Sequence, residues 1–248
     1  MSEEIAAHYD RLADRYDENW AHSAEFIAWM TGCILERLEP APGDRVADIG
    51  CGTGLFTQGL VERAGQVACV DPSGAMLERL PAGKGFVPVE ASAEDVVEGR
   101  ALLPHRQFDV ILVKEAIHHV QDRARVLEGL AGMLAPGGRV LVVMLPTTID
   151  YPLFDRALRL FEELQPDPED VAGHLERAGL RVRLTYESFP LSFSKGRYLR
   201  MVRNRYMSLL SMFDDAELEA GIAEIDERHP EEVLQFPDRF AFVLGRRA

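Results

Sequence analysis

The sequence is short of the features that mark several classes of protein. It has three cysteines, Cys33, Cys51 and Cys69, and no two of them form a C-x-x-C pair. Neither a disulfide framework nor a zinc site is expected from them. No stretch approaches the roughly 18 consecutive apolar residues of a membrane helix. The first residues, Met1-Ser2-Glu3-Glu4, are acidic where a secretory leader is basic and then apolar. There is no internal repeat and no low-complexity tract. Positive charge is scarce: 27 Lys and Arg stand against 41 Asp and Glu, a formal net charge of -14. A chain that tracks a phosphate backbone usually carries the opposite field. These absences point to a cytoplasmic protein with a small-molecule partner, and away from membrane, nucleic acid and metal.

What is present is ordinary globular composition, 47% hydrophobic and 27% charged over 248 residues. That suffices for one sizeable core with a small appended element. Residues 3–20 are polar and aromatic and read as a helix broken around Asp17. Residues 22–38 carry Phe26, Ile27, Met30, Ile34 and Leu38 at helical spacing. Residues 1–38 are thus expected to form an N-terminal helical lid, ended by Pro40, Pro42 and Gly43.

Strands and helices then alternate. Strands are expected at 45–49, 66–70, 86–90, 108–113 and 139–144, with helices at 55–64, 74–80 and 123–134. Pro136-Gly137-Gly138 reads as a stop and turn before the fifth strand. Helices at 153–164 and 168–178 precede a sixth strand at 180–189, and a seventh lies at 240–244. Residues 190–238 look like two helices, too short for a core of their own, and read as a cap inserted before the last strand. The expectation is a single α/β domain over residues 1–248. Its core is a doubly wound, seven-stranded, mostly parallel sheet with helices on both faces.

The informative segment is 46–56, VADIGCGTGLF. A strand feeds Asp48-Ile49-Gly50-Cys51-Gly52-Thr53-Gly54, and a helix follows. Alternate glycines allow a tight turn and close approach of a ligand to the backbone, and the helix N-terminus offers free N–H groups. About twenty residues on, the second strand ends at Asp71, where an acid accepts from ribose hydroxyls. The spacing is not the G-x-G-x-x-G of dinucleotide binders. An acid ahead of the glycines suits a ligand with cationic groups better than a diphosphate.

This segment resembles motif I of the class I, Rossmann-like, S-adenosylmethionine-dependent methyltransferases. VDPSGAML at 70–77, EASAEDV at 90–96, FDVILVKEAIHHV at 108–120 and LAPGGRVLVV at 134–143 resemble their later motifs in order. The resemblance implies S-adenosylmethionine as cofactor. Asp48 and the Gly50 carbonyl would hold its ammonium, with Cys51, Gly52, Thr53 and Gly54 beneath it. Asp71 would clamp the ribose, beside Pro72. Met76, Ala91, Ser92 and Ala93 would line the adenine, Ser92 standing where the family often has aspartate. Lys114 and Glu115 would sit beside the methionine portion. The implied activity is methyl transfer to a small molecule. The alternative is another use of the same cofactor, such as cyclisation to azetidine-2-carboxylate with release of methylthioadenosine.

Methyl transfer from a sulfonium needs orientation and, where a proton leaves, a base. Candidate catalytic residues are His118, Glu115 and Tyr16. Tyr16 is also a candidate cofactor contact, because an aromatic lid favours a sulfonium by cation–π attraction. Substrate-contact candidates are Tyr9, His119, Tyr151, Arg203, Asn204 and Tyr206. Arg203 and Asn204 belong to a basic stretch, residues 195–205, and Leu199, Val202, Tyr206, Leu209 and Phe213 form one apolar stripe at helical spacing through it and beyond. Such a stretch suits an anionic substrate, unless it is a solvated face paired with acids elsewhere.

Overall fold

The structure is a computed structural model that describes residues 23–83 and 85–248. Tyr9, Tyr16 and most of the expected lid lie outside the described residues. The first helix, α1 (Ala24–Leu38), starts where the Ser23 side chain accepts from the Phe26 N–H at 3.1 Å. It buries Phe26, Met30, Ile34 and Leu38, one row at four-residue spacing.

Next come β1 (Val46–Ile49), α2 (Thr57–Ala64), β2 (Val67–Asp71), α3 (Gly74–Leu77), β3 (Phe86–Glu90), α4 (Ala93–Val97) and β4 (Phe108–Lys114). A 3-10 turn (Ile117–His119), α5 (Arg123–Gly132), β5 (Leu134–Met144), α6 (Asp155–Leu164) and α7 (Pro168–Arg177) follow. The chain ends through β6 (Arg181–Ser194), α8 (Lys195–Arg203), a second 3-10 turn (Ser208–Met212), α9 (Asp215–Arg228) and β7 (Val233–Arg246).

The seven strands lie in the order β3-β2-β1-β4-β5-β7-β6. The first five are parallel, and β7 runs antiparallel to β5 and β6. Strand residues alternate between two apolar layers. On β4, Val110 and Leu112 face the layer of α1, α2, α6 and the residues after β6, while Ile111 and Val113 face that of α4, α5 and α7. The order reverses between β1 and β4, where an open α/β sheet leaves a crevice beyond its strands' carboxyl ends.

Two expectations change. Pro136-Gly137-Gly138 does not stop the chain before the fifth strand but bulges within β5: Phe108 pairs with Leu134, and the next recorded pair is Val110 with Arg139. The last two strands are longer than their prolines suggested. Each has 14 residues, paired from Arg181 with Arg246 to Ser194 with Val233. Pro190 faces Pro237, a pairing that suits a rung without hydrogen bonds. The insertion between the strands is therefore 195–232 rather than 190–238.

The inserted segment is not one long helix. Helix α8 ends at Arg203, and Arg205 takes φ 54°, which turns the chain. Val202, Tyr206, Leu209 and Phe213 are nonetheless buried, in the same apolar layer as Phe154 and Phe161 of the main body. No described helix is long and apolar enough to cross a membrane.

The contact between α9 and α6 gives a test of sign. A Cβ on Gly221 would lie 2.4 Å from the Phe154 ring. In an exposed helix Gly221→Ala would stabilise by about 1 kcal/mol; here overpacking should prevail and destabilise by about 1–3 kcal/mol. A lowered urea midpoint at unchanged slope is the expected readout.

Candidate functional site

The crevice is a cleft of about 1170 Å³, open mouth included, lined by the loop after β1, the ends of β2 and β3, and the chain leaving β4. The loop after β1 turns on three glycines with positive φ: Gly50 at 75°, Gly52 at 56° and Gly54 at 78°. They differ in purpose. A Cβ on Gly50 would lie 2.3 Å from the Ala116 Cβ, and one on Gly54 would lie 2.6 Å from Leu80. A Cβ on Gly52 would meet no protein atom within 4 Å. Gly50 and Gly54 serve packing, whereas Gly52 leaves room for a ligand against the backbone.

Asp71, buried at the tip of β2, holds this loop. Its carboxylate accepts from the Gly52 N–H and the Ser73 N–H, each at 2.9 Å. Asp48, at the root of the loop, accepts from the Thr57 hydroxyl at 2.5 Å. Burial pushes its carboxyl up to about 6, against the pull of Thr57 and Lys114. Cys51 lines the cleft, and its contact with Cys69 and its burial push the thiol up.

Met76, Ala91, Ser92 and Ala93 line one side of the cleft with Pro72. The Ser92 hydroxyl is already engaged: it accepts from the Asp95 N–H at 3.0 Å and donates to the Asp95 carboxylate at 2.7 Å, capping α4. On the opposite side stand Lys114, Glu115 and His119. Glu115 has φ 52°, unusual for a residue with a side chain. Its N–H donates to the Val143 carbonyl at 2.8 Å, and its carboxylate accepts from the Leu145 N–H at 2.9 Å. Burial pushes this carboxyl up, while Lys114 and the Leu145 N–H pull it down.

Other expected residues lie elsewhere. Gly54 packs on Leu80 and does not line the cleft. His118 is absent from the lining too. Its Nδ1 is buried without a hydrogen-bond partner, and desolvation, aided by Arg123 and Lys114, pushes it down to about 4. It is therefore a weak base away from the cleft. Arg203 and Asn204 do not point inward: both are exposed, and the Arg203 guanidinium pairs with Glu219 at 2.6 and 2.8 Å. The helix ends there, and α9 presents its acids to it. Tyr206 is buried, its hydroxyl 3.0 Å from that of Tyr198.

Tyr151 is also buried, with its hydroxyl 2.5 Å from the carboxylate of Asp238. Asp238 is an acid that the sequence reading missed. The signal was present: positions 236, 238, 240 and 242 alternate along β7, placing an acid in a row of three phenylalanines. Burial pushes the Asp238 carboxyl up to about 7, against the hydrogen bond from Tyr151. A carboxyl raised on folding contributes stability below the unfolded value near 4 and loses it as pH rises through about 7. Asp238→Asn should remove that loss. Relative to the parent chain it should gain on the order of 2 kcal/mol between pH 4.5 and pH 8, measured by denaturant unfolding at each pH.

Residues 47–142 match a family profile described as a methyltransferase domain. An uncharacterised methyltransferase of Mycobacterium tuberculosis is 30% identical over 131 residues, which are 53% of this chain and 63% of that protein. The match thus spans less than two thirds of that relative's length. A ubiquinone biosynthesis O-methyltransferase of Marinobacter nauticus is 29% identical over 216 residues, 77% of this chain and 89% of the other. Among solved structures, Haemonchus contortus phosphoethanolamine N-methyltransferase 2, in complex with S-adenosyl-L-methionine, aligns with TM-score 0.61 and 18% identity over 96% of this chain and 57% of that one. The [4+2]-cyclase SpnF aligns with TM-score 0.57 and 16% identity over 88% of this chain and 79% of that one. At these identities the two structures speak for the fold alone. With the strand order, they show that the chain has a Rossmann-like α/β fold, within which residues 47–142 carry the methyltransferase-domain match.

Proposed function

We propose that the protein transfers a methyl group from S-adenosylmethionine to a small-molecule acceptor. The observation that carries this reading is the empty volume over Gly52, bounded by the buried carboxylates of Asp48 and Asp71. An adenosyl amino acid has a matching outline: ribose hydroxyls suit Asp71, and the ammonium suits Asp48 and the Gly50 carbonyl. Met76, Ala91 and Ala93 offer the adenine an apolar surface. When bound, the cofactor supplies an activated methyl on a good leaving group. The chain's own residues then have to hold it, orient the acceptor and exclude water.

Charge supports a small acceptor over a polynucleotide, since the net charge is -14. It no longer supports an anionic one. The cations of residues 195–205 are largely spent within the inserted segment: Lys195 pairs with Asp226 at 2.6 Å, Arg203 with Glu219 at 2.6 Å and Arg205 with Asp215 at 2.7 Å.

Calorimetry with S-adenosylmethionine should show binding, and Asp71→Asn should weaken it by roughly 10–100-fold, the worth of hydrogen bonds to a charged group. Full-strength binding by that variant would contradict the ribose assignment. Incubated with cofactor alone, the protein should release no methylthioadenosine, and S-adenosylhomocysteine should accumulate only with an acceptor. Methylthioadenosine formed without an acceptor would replace methyl transfer by cyclisation.

A further inference from the structure

Lys114 has a place that the cofactor reading does not explain. It closes β4 and lines the cleft, yet its ammonium has no hydrogen bond or ion pair among the described residues. Nζ lies 4.4 Å from the ring centre of Phe56 and 5.9 Å from that of Phe240. These two rings join Phe26, Trp29 and Phe189 in one cluster with centroid separations of 5.3–6.4 Å. The choice of residue is also telling. Of the 27 basic residues only three are lysine, at 84, 114 and 195. Arginine cannot deprotonate in a protein; lysine can.

We propose that Lys114 is the general base of the reaction and that the acceptor is a weakly acidic hydroxyl on an apolar body, such as a phenol. The proposal rests on the methyl-transfer reading and deepens it. Glu115 faces Lys114 from the position just after β4, Asp48 from β1, Asp238 from β7 and His118 from the turn that follows β4. Burial draws the ammonium below the usual lysine range, and the three carboxylates oppose this. A sulfonium bound in the same cleft brings a further positive charge and favours the neutral amine when the cofactor is in place.

The neutral amine then takes the hydroxyl proton and becomes an ammonium beside the new oxyanion. The oxygen's electron pair forms the bond to the methyl carbon as the carbon–sulfur bond breaks, its electrons remaining on sulfur. The products are the methyl ether and S-adenosylhomocysteine, and the proton passes from Lys114 to solvent. An amine acceptor would arrive as a second cation beside the sulfonium, whereas an oxyanion is attracted to the Lys114 ammonium. The other titratable groups fit this role less well. The Glu115 carboxylate is bonded to the Leu145 N–H, His118 lies away from the cleft, and Asp238 is held by Tyr151.

The test uses the whole chain and two readouts. Calorimetry in buffers of different ionisation enthalpy, from pH 6.5 to 9.5, should show proton release on binding S-adenosylmethionine but not S-adenosylhomocysteine, whose sulfur is neutral. Lys114→Arg and Lys114→Gln should still bind but release no proton. No release by the parent chain, or equal release by the variants, would overturn the base. A cofactor that failed to bind at all would instead bring down the methyl-transfer reading. In the second readout, Lys114→Arg should lose about 10²–10⁴-fold in rate with phenols ionising near 10, and less than tenfold with phenols already ionised at the assay pH. Lys114→Arg keeps the cation, so a role of charge alone would predict little loss with either. Equal loss on both groups of phenols, or turnover of amines and no phenol, would overturn the proposal.

Discussion

The hydrogen bond from the Gly52 N–H to Asp71 is the constraint on which the rest of the cleft depends. It joins the loop after β1 to the tip of β2, and the Gly50 and Cys51 N–H groups add a second tie to the Val70 carbonyl, at 2.7 and 3.0 Å. The loop is thereby held in a left-handed path that only glycine adopts without strain. The path of the loop is thus fixed by the chain's own hydrogen bonds.

Around that cleft the protein keeps four buried ionisable groups, three of them in its lining and Asp238 beyond it. Asp48, Asp238 and Glu115 are all pushed toward neutrality by burial, and Lys114 likewise. None of the three carboxylates closes a salt bridge with the lysine. Each carboxylate is instead held by one neutral donor, Thr57, Tyr151 or the Leu145 N–H. Such groups are costly to bury, and groups perturbed in this way tend to cluster at functional sites. The left-handed backbone at Glu115 belongs to the same economy of place. The fold alone would not specify this chemistry, since a cyclase and an N-methyltransferase share it.

The long β6–β7 ribbon has a different task. It runs past the end of β5, whose last pair is Met144 with Ala241, so Asp238 and Phe240 are paired with β6 alone. The segment at its tip answers its own charges and adds its apolar side chains to the core layer of α1 and α6. Its apolar side chains are therefore part of the core, and three of its cations are paired within it.

What the sequence determined by itself was local. The alternation of short apolar runs with helical stretches specified the parallel part of the sheet, because period 2 and period 3.6 are properties of neighbouring residues. The glycine loop and Asp71 were legible for the same reason, each being a turn chemistry at a fixed offset. Only the tertiary structure decided which side chains meet. Asp238 reaches the neighbourhood of Lys114 because β7 inserts beside β5, a pairing that spans about a hundred residues and leaves no periodic trace. Arg203 turns outward because Arg205 breaks the helix and α9 supplies Glu219. The prolines of the ribbon face one another only once the register is set. Contacts between distant segments depend on packing and register, and no single stretch of sequence contains them.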